Sequence, residues 1–274
     1  MELKSSLLLT TLAMLAFAAN SIFCRMALKH TNIDAASFTT IRLLAGAITL
    51  AAIVKLRHGD IAGNWRSAFA LFAYAACFSF AYLSLPAATG ALLLFGAVQA
   101  TMLGYGFYAG ERLKRSQLVG VLCALIGLIG LLLPGLKAPP LQGALLMLAA
   151  GIAWGVYSLR AKNSGDPTCA TAGNFIRAAV LALALSAILW QGAAIDLSGM
   201  RYAIASGALA SGLGYALWYS ALRDLTASSA ATVQLSVPIL AAVGGIVFLN
   251  EILTLRLMIA GVAILGGIAL VIRK

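Results

Sequence analysis

The chain has 274 residues, 62% of them hydrophobic and only 10% charged, with a formal net charge of +11. Soluble domains carry about a quarter charged residues, so this composition excludes a protein that covers itself with a polar surface in water. The surplus cations sit in the links between apolar runs, where the positive-inside rule accounts for them better than nucleic-acid binding does.

Ten apolar runs follow one another, roughly 5–28, 36–56, 66–85, 87–109, 116–134, 141–161, 169–190, 201–222, 228–249 and 255–272. Each comes near the ~20 residues that an α-helix needs to cross a bilayer core. The links are short and leave almost nothing for a soluble domain. The fold class expected is an all-α membrane protein of ten transmembrane helices. The first run is too long for a cleaved signal peptide and has no clear small-residue cleavage site after it.

Polar and aromatic groups deep in a membrane are costly to bury and often mark sites. The first run carries Asn20. The second holds Arg42, close enough to its helix end to snorkel to the interface. The third reads "YAACFSFAYLSL", in which Tyr74, Phe78 and Tyr82 share one face at i, i+4 and i+8 spacing. The fourth contains Gln99. The sixth brings Trp154 and Tyr157 beside the small residues Gly151 and Gly155, and the seventh carries Arg177. The eighth supplies Tyr215, Trp218 and Tyr219, with Gly207 and Ser211 as a second small-residue face. The ninth contains "TVQLSVPIL" at 232–240. There Pro238 has no N–H, so the carbonyl of Gln234 loses its helical partner at the depth of its own side-chain amide.

Each of these residues also has a plainer reading. Amides this deep bond between helices as readily as they contact cargo. Aromatic stripes pack or face lipid, and Tyr82 and Tyr219, near helix ends, suit an interfacial belt. The Pro238 kink can be satisfied by a neighbouring helix or water. The residues expected to line a binding cavity are Asn20, Tyr74, Phe78, Gln99, Trp154, Tyr157, Tyr215, Trp218, Gln234 and Pro238. Arg42 and Arg177 hold matching places in "IRLLAG" (41–46) and "FIRAAV" (175–180), a symmetry that favours shared structural anchoring over a bond to a substrate carboxylate. The cysteines (Cys24, Cys77, Cys123 and Cys169) fall singly on different runs, which points to packing rather than a metal or disulfide. No cofactor is expected.

Cations set the orientation. Lys4, Lys55, Arg57, Arg66, Arg112, Lys114, Arg115, Arg160, Lys162, Arg223, Arg273 and Lys274 fall on one side, against Arg25, Lys29, Lys137, Arg201 and Arg256 on the other. Both termini are therefore expected in the cytoplasm of a cell with this inner-membrane protein. The two halves also match each other in one fixed register: Ala81 falls on Ala221, Gly104 on Gly244, Glu111 on Glu251 and Gly127 on Gly267. With five helices in each, residues 1–136 form a first repeat and 137–274 a second, inverted one. That explains the basic cluster after Glu111 and its absence after Glu251, whose loop must cross. Inverted repeats are characteristic of secondary transporters.

The "GERL" at 110–113 before Gly120, Gly127 and Gly130, and the "NEIL" at 250–253 before Gly261, Gly266 and Gly267, resemble the EamA-type repeats of the drug/metabolite transporter superfamily. So do "IRLLAG" and "FIRAAV". The pattern is most similar to the bacterial amino-acid exporters, including the aromatic branch. The resemblance implies a ten-helix basket in which runs 1, 3, 4, 6, 8 and 9 line a central cavity and 5 and 10 stay peripheral. Pro238 has no counterpart in the fourth run, where Val98 stands, so the half-sites differ.

All eight carboxylates lie near run ends or in links, and both histidines (His30 and His58) lie in links. A proton-coupled exporter of cationic drugs usually needs a buried carboxylate. The absence favours a zwitterionic cargo with an apolar or aromatic side chain, moved without proton exchange. The expectation is an amino-acid exporter working by alternating access, for which a monomer suffices. The alternative is a multidrug or other small-metabolite exporter. A phosphorylated cargo would call for several buried cations, and runs 9 and 10 offer only Arg256 at an entrance. A different class is a passive channel or membrane scaffold, against which stands an inverted repeat that a scaffold would not need. An enzyme acting on lipid would need a nucleophile or metal with an orienting base, and the sequence offers no embedded His or carboxylate to serve.

Overall fold

The computed structural model describes residues 3–108, 110, 115–133, 138–161, 165–222 and 233–272. Among these residues there are ten helices and no strand. They are α1 (Leu3–His30), α2 (Ala35–Leu56), α3 (Trp65–Ala81), α4 (Ala87–Tyr108), α5 (Arg115–Leu132), α6 (Leu141–Ala161), α7 (Pro167–Ile188), a composite α8, α9 (Ser236–Leu249) and α10 (Leu255–Ile272). The parts of α8 run on directly: α-helical Leu197–Ala205, π-helical Ser206–Leu213 and α-helical Gly214–Leu222. Helices α1, α2, α4, α5, α6 and α7 are long and apolar enough to cross a bilayer, and Ser236–Leu249 and Leu255–Val271 are shorter apolar stretches. The ten apolar runs thus become ten helices.

Short polar residues fix where helices begin. Asp34, Asn64, Asp166 and Asp196 each accept hydrogen bonds from backbone N–H groups in the first turn of α2, α3, α7 and α8, satisfying donors that a helix start leaves open. Pro167 follows Asp166 at the first helical position, where its missing N–H costs nothing. The third helix stops at Ala81, short of the expected 85, because the chain turns before Pro86 and restarts at Ala87. The eighth begins at Leu197, earlier than expected, because Asp196 caps it. The ninth is interrupted: Val233 and Gln234 are helical, Leu235 turns, and α9 follows. The first residues of that predicted run, 228–232, lie outside the described residues.

Successive helices alternate in direction, and hydrogen bonds between loops show which ends meet. At one end, Arg177 reaches Ala62, Asn64 reaches Asn174, and Arg160 reaches Ser67. At the other, Arg25 reaches Tyr82 and Leu83, Lys29 reaches Leu249, and Asp34 meets Ala194. We call these the Asn64 end and the Glu251 end. Helix α1 starts at the Asn64 end and α6 at the Glu251 end, so the two five-helix sets run in opposite senses.

Lipid offers no hydrophobic drive between helices, so close backbone approach at small residues must hold them together. A Cβ on Gly151 would stand 2.5 Å from Ala97 Cβ, and one on Gly155 would stand 2.8 Å from Thr101 Cβ, which fixes α6 on α4. Gly207 of α8 leaves even less room against the Arg42 carbonyl of α2. Helices α5 and α10 pack mainly on each other, with Gly120 and Gly267 back to back, and α5 exposes Leu118, Leu122, Ile126 and Ile129. They are peripheral, as the family resemblance implied.

Candidate functional site

A small cavity lies at the centre of the bundle, walled by Phe17, Asn20 and Ser21 of α1, Tyr74 and Phe78 of α3, Leu94 and Phe95 of α4, Trp154 of α6, Ala210 and Tyr215 of α8, and Gln234. Its walls come from runs 1, 3, 4, 6, 8 and 9, the set the resemblance implied. Its free volume is about 20 Å³, room for roughly one water. The site is therefore contracted onto its own side chains.

Those side chains form a continuous aromatic lattice. Trp154 lies at its centre, with ring centroids 4.9 Å from Tyr74, 5.1 Å from Tyr215 and 5.4 Å from Tyr157. Tyr74 continues to Phe78 at 5.4 Å, and Phe17 meets Tyr215 edge-on at 5.7 Å. Such pairs stabilise by about 0.5–1.5 kcal/mol beyond the area they bury.

Several polar groups meet this lattice at Tyr74. The Tyr74 hydroxyl oxygen accepts from Asn20 Nδ2 at 3.2 Å and from Arg42 Nη2 at 3.1 Å. Ser206, at the start of the π-helical stretch, donates to Asn20 Oδ1 at 2.6 Å and so fixes the amide's orientation. Arg42 does not snorkel as the sequence suggested. It is 1% exposed, with its guanidinium carbon 4.8 Å from the Phe78 centroid and 5.3 Å from that of Tyr74. Its position along α2 allowed escape to the interface, but the face it occupies turns the side chain onto Tyr74 and Phe78 of α3. Arg177, its counterpart, bonds the Gly173 and Ala62 carbonyls at the Asn64 end. The symmetry read from sequence does not hold for their side chains.

Of the residues nominated from sequence, Asn20, Tyr74, Phe78, Trp154, Tyr215 and Gln234 come together on the cavity. Gln99 and Pro238 are buried but do not line it. Trp218 stands one layer back, edge-on to Phe17 at 6.0 Å. Tyr157 backs Trp154 and donates to Thr171 Oγ1 at 3.2 Å, and Thr171 donates to the Tyr219 hydroxyl at 3.3 Å. Tyr82 is fully buried and donates to the Ala87 carbonyl, so it is not an interfacial belt residue; the turn before Pro86 folds it back over the α4 start. Phe17 and Ser21 were readable as neighbours of Asn20 on one helix face. Leu94 and Phe95 gave no signal, because α4 is apolar on every side.

Two wider openings flank the cavity. At the Asn64 end, Arg57, Asp166, Thr168, Tyr219 and Ser220 surround about 310 Å³. At the Glu251 end, Ser84, Pro86, Glu251, Thr254 and Leu257 help to surround about 190 Å³. A clamp lies at that second opening, where Glu251 is one of the lining residues. Arg25 Nε is 3.5 Å from Glu251 Oε1, and Arg25 Nη1 bonds the carbonyls of Tyr82 at 2.8 Å and Leu83 at 3.1 Å. Glu251 Oε2 accepts from the Ala87 N–H at 2.8 Å. Asn250, in the left-handed conformation that ends α9, turns the chain so that Glu251 folds back under its own helix. One carboxylate thus ties α1, α4 and the end of α9 together.

A ten-helix membrane bundle with a small central cavity and a wider pocket at either end has the architecture of a multi-pass membrane transporter. The chain belongs to the EamA-like transporter family, whose description matches residues 4–133 and again 141–273. An uncharacterized protein of Pseudomonas aeruginosa is 56% identical over 98% of this chain and 95% of its own. A probable amino-acid metabolite efflux pump of Salmonella typhimurium is 28% identical over 67% of each chain. The threonine/homoserine exporter RhtA of Escherichia coli is 34% identical over 57% of this chain and 55% of its own length. A solved protein structure at 20% identity superposes with a TM-score of 0.70 over 98% of both chains, which shows the shared fold.

Proposed function

We propose that this transporter exports amino acids, with aromatic or large apolar ones as preferred cargo, across the bacterial inner membrane by alternating access. Both termini face the cytoplasm, and residues 1–136 and 137–274 act as inverted repeats that trade roles in opening the site. Cargo enters from the Asn64 end and leaves through the Glu251 end once the Arg25–Glu251 clamp parts. The observation that carries this reading is the cavity itself: an aromatic wall around the Asn20–Tyr74 hydrogen bond and Gln234, with no carboxylate among its lining residues. The names of two similar proteins, an amino-acid metabolite efflux pump and a threonine/homoserine exporter, support the cargo class. The aromatic preference rests on the wall alone. The contracted volume means that cargo is admitted only as the helices part.

The test is counterflow in liposomes that contain only the purified protein, without a proton gradient. Tryptophan, phenylalanine, leucine and threonine should exchange, and Trp154→Ala and Gln234→Ala should slow that exchange several-fold. Movement of a cationic dye alone, and only under an imposed pH gradient, would replace this reading with that of a multidrug exporter.

A further inference from the structure

Arg42 carries a permanent charge, is 1% exposed, and has no carboxylate beside it among the described residues. The described carboxylates are accounted for elsewhere: Asp34, Asp166 and Asp196 cap helix starts, Asp60 lies in the α2–α3 link, and Glu251 pairs with Arg25. Nη2 bonds Tyr74, whereas Nε and Nη1 have no hydrogen-bond partner among the described residues. The guanidinium faces the rings of Phe78 and Tyr74, and cation–π attraction offsets only part of what a buried charge costs.

Tyr74 connects this charge to the cavity. A phenolic oxygen has two acceptor positions and one hydrogen. Arg42 and Asn20 take both acceptor positions, so the hydrogen must be directed away from them, and Tyr74 lines the cavity. A hydroxyl that accepts from a cation is also a stronger donor. The arrangement is one-sided, since Arg177 in the matching place spends its Nη1 on backbone carbonyls.

We infer that Arg42, Tyr74 and Asn20 form the binding pole for the carboxylate of the cargo. Tyr74 donates the hydrogen bond, Arg42 supplies the compensating charge behind it, and Asn20, held by Ser206, fixes the phenol. The pole makes a carboxylate a requirement and excludes amines of the same shape. This assignment rests on the reading of the cavity as the cargo site.

The experiment compares acids with their amides in the same counterflow assay: phenylalanine against phenylalaninamide, and threonine against threoninamide. Wild-type protein should exchange each acid about tenfold or more faster than its amide, the effect expected from losing a hydrogen bond within a charged pair. Arg42→Gln and Tyr74→Phe should raise the KM for the acids several-fold more than that for the amides, and Arg42→Lys should restore part of the difference. Equal exchange of acid and amide by the wild-type protein overturns the assignment and leaves the amino-acid reading standing. No exchange of either member of both pairs overturns the two together. The wild-type comparison needs no variant, so a poorly folding Arg42→Gln protein does not decide it.

Discussion

Asp34 binds two loops with one carboxylate. Its Oδ1 accepts from the N–H groups of Ala36 and Ser37, both at 2.9 Å, and its Oδ2 accepts from Ala194 N–H at 2.9 Å in the α7–α8 link. Its own N–H donates back to the Ala194 carbonyl at 3.0 Å. Partial burial pushes its pKa up, but these hydrogen bonds outweigh burial and hold it below the usual carboxylate range. A depressed folded-state pKa gives stability that is complete above the unfolded value of ~3.9 and is lost as pH falls through the folded value. Asp34→Ala should lower stability by about 1 kcal/mol, the usual worth of a side-chain cap. In detergent melts the variant should differ from wild type at pH 7 and converge with it at strongly acid pH; a constant gap down to that pH would refute the link. Other residues show what sequence alone can reveal. Asn20, Tyr74 and Trp154 were legible because amides and aromatic rings stand out among Ala, Leu and Gly. Arg42 and Tyr82 were misplaced because sequence gives depth along a helix but not which neighbour covers its face.

Helix α8 shows the same limit one level up. Its length and apolar character were legible, but its π-helical Ser206–Leu213 stretch was not, because no local residue choice demands it. The stretch is held from outside. Gly207 presses on the Arg42 carbonyl, Gly212 on Thr49, and Ser206 bonds Asn20. A π turn redirects the residues that follow it, and π stretches often occur at functional sites; here it brings both Ser206 and Ala210 toward the centre. A Cβ at Gly207 would lie 2.1 Å from the Arg42 oxygen, so backbone must move to admit it. Gly207→Ala should cost about 1–3 kcal/mol, as overpacking does, and shrink the monodisperse peak in size-exclusion chromatography. Gly266→Ala meets nothing within 4 Å; it should be neutral or gain up to ~1 kcal/mol in helix propensity. Equal behaviour of the two variants would mean that the α2–α8 contact does not determine stability.

Across the whole molecule, the helices are held more firmly at the Glu251 end than an isolated ion pair would manage, because Glu251 also bonds the start of α4 and Arg25 also bonds two carbonyls. Cys24, fully buried, is the residue before Arg25 on α1. With Cys77, Cys123 and Cys169 changed to serine, Cys24 in Glu251→Gln should react with a membrane-impermeant maleimide about tenfold faster than in the parent, the change in open population that ~1.4 kcal/mol produces. An unchanged rate would show that the clamp does not hold this end shut. The ten-helix architecture and the peripheral place of α5 and α10 were legible because composition and family pattern act over the whole chain. The clamp was not, since Arg25 and Glu251 lie at opposite extremes of the sequence and meet only through the fold.

The contracted centre has an electrical consequence. Protons cross membranes along unbroken files of hydrogen-bonded water, and a space of about 20 Å³ accommodates roughly one molecule, which is no file. The rings of Trp154, Tyr215 and Phe78 line what space remains. A centre this full should insulate. A cell could then hold many copies in a charged membrane without leaking away its membrane potential.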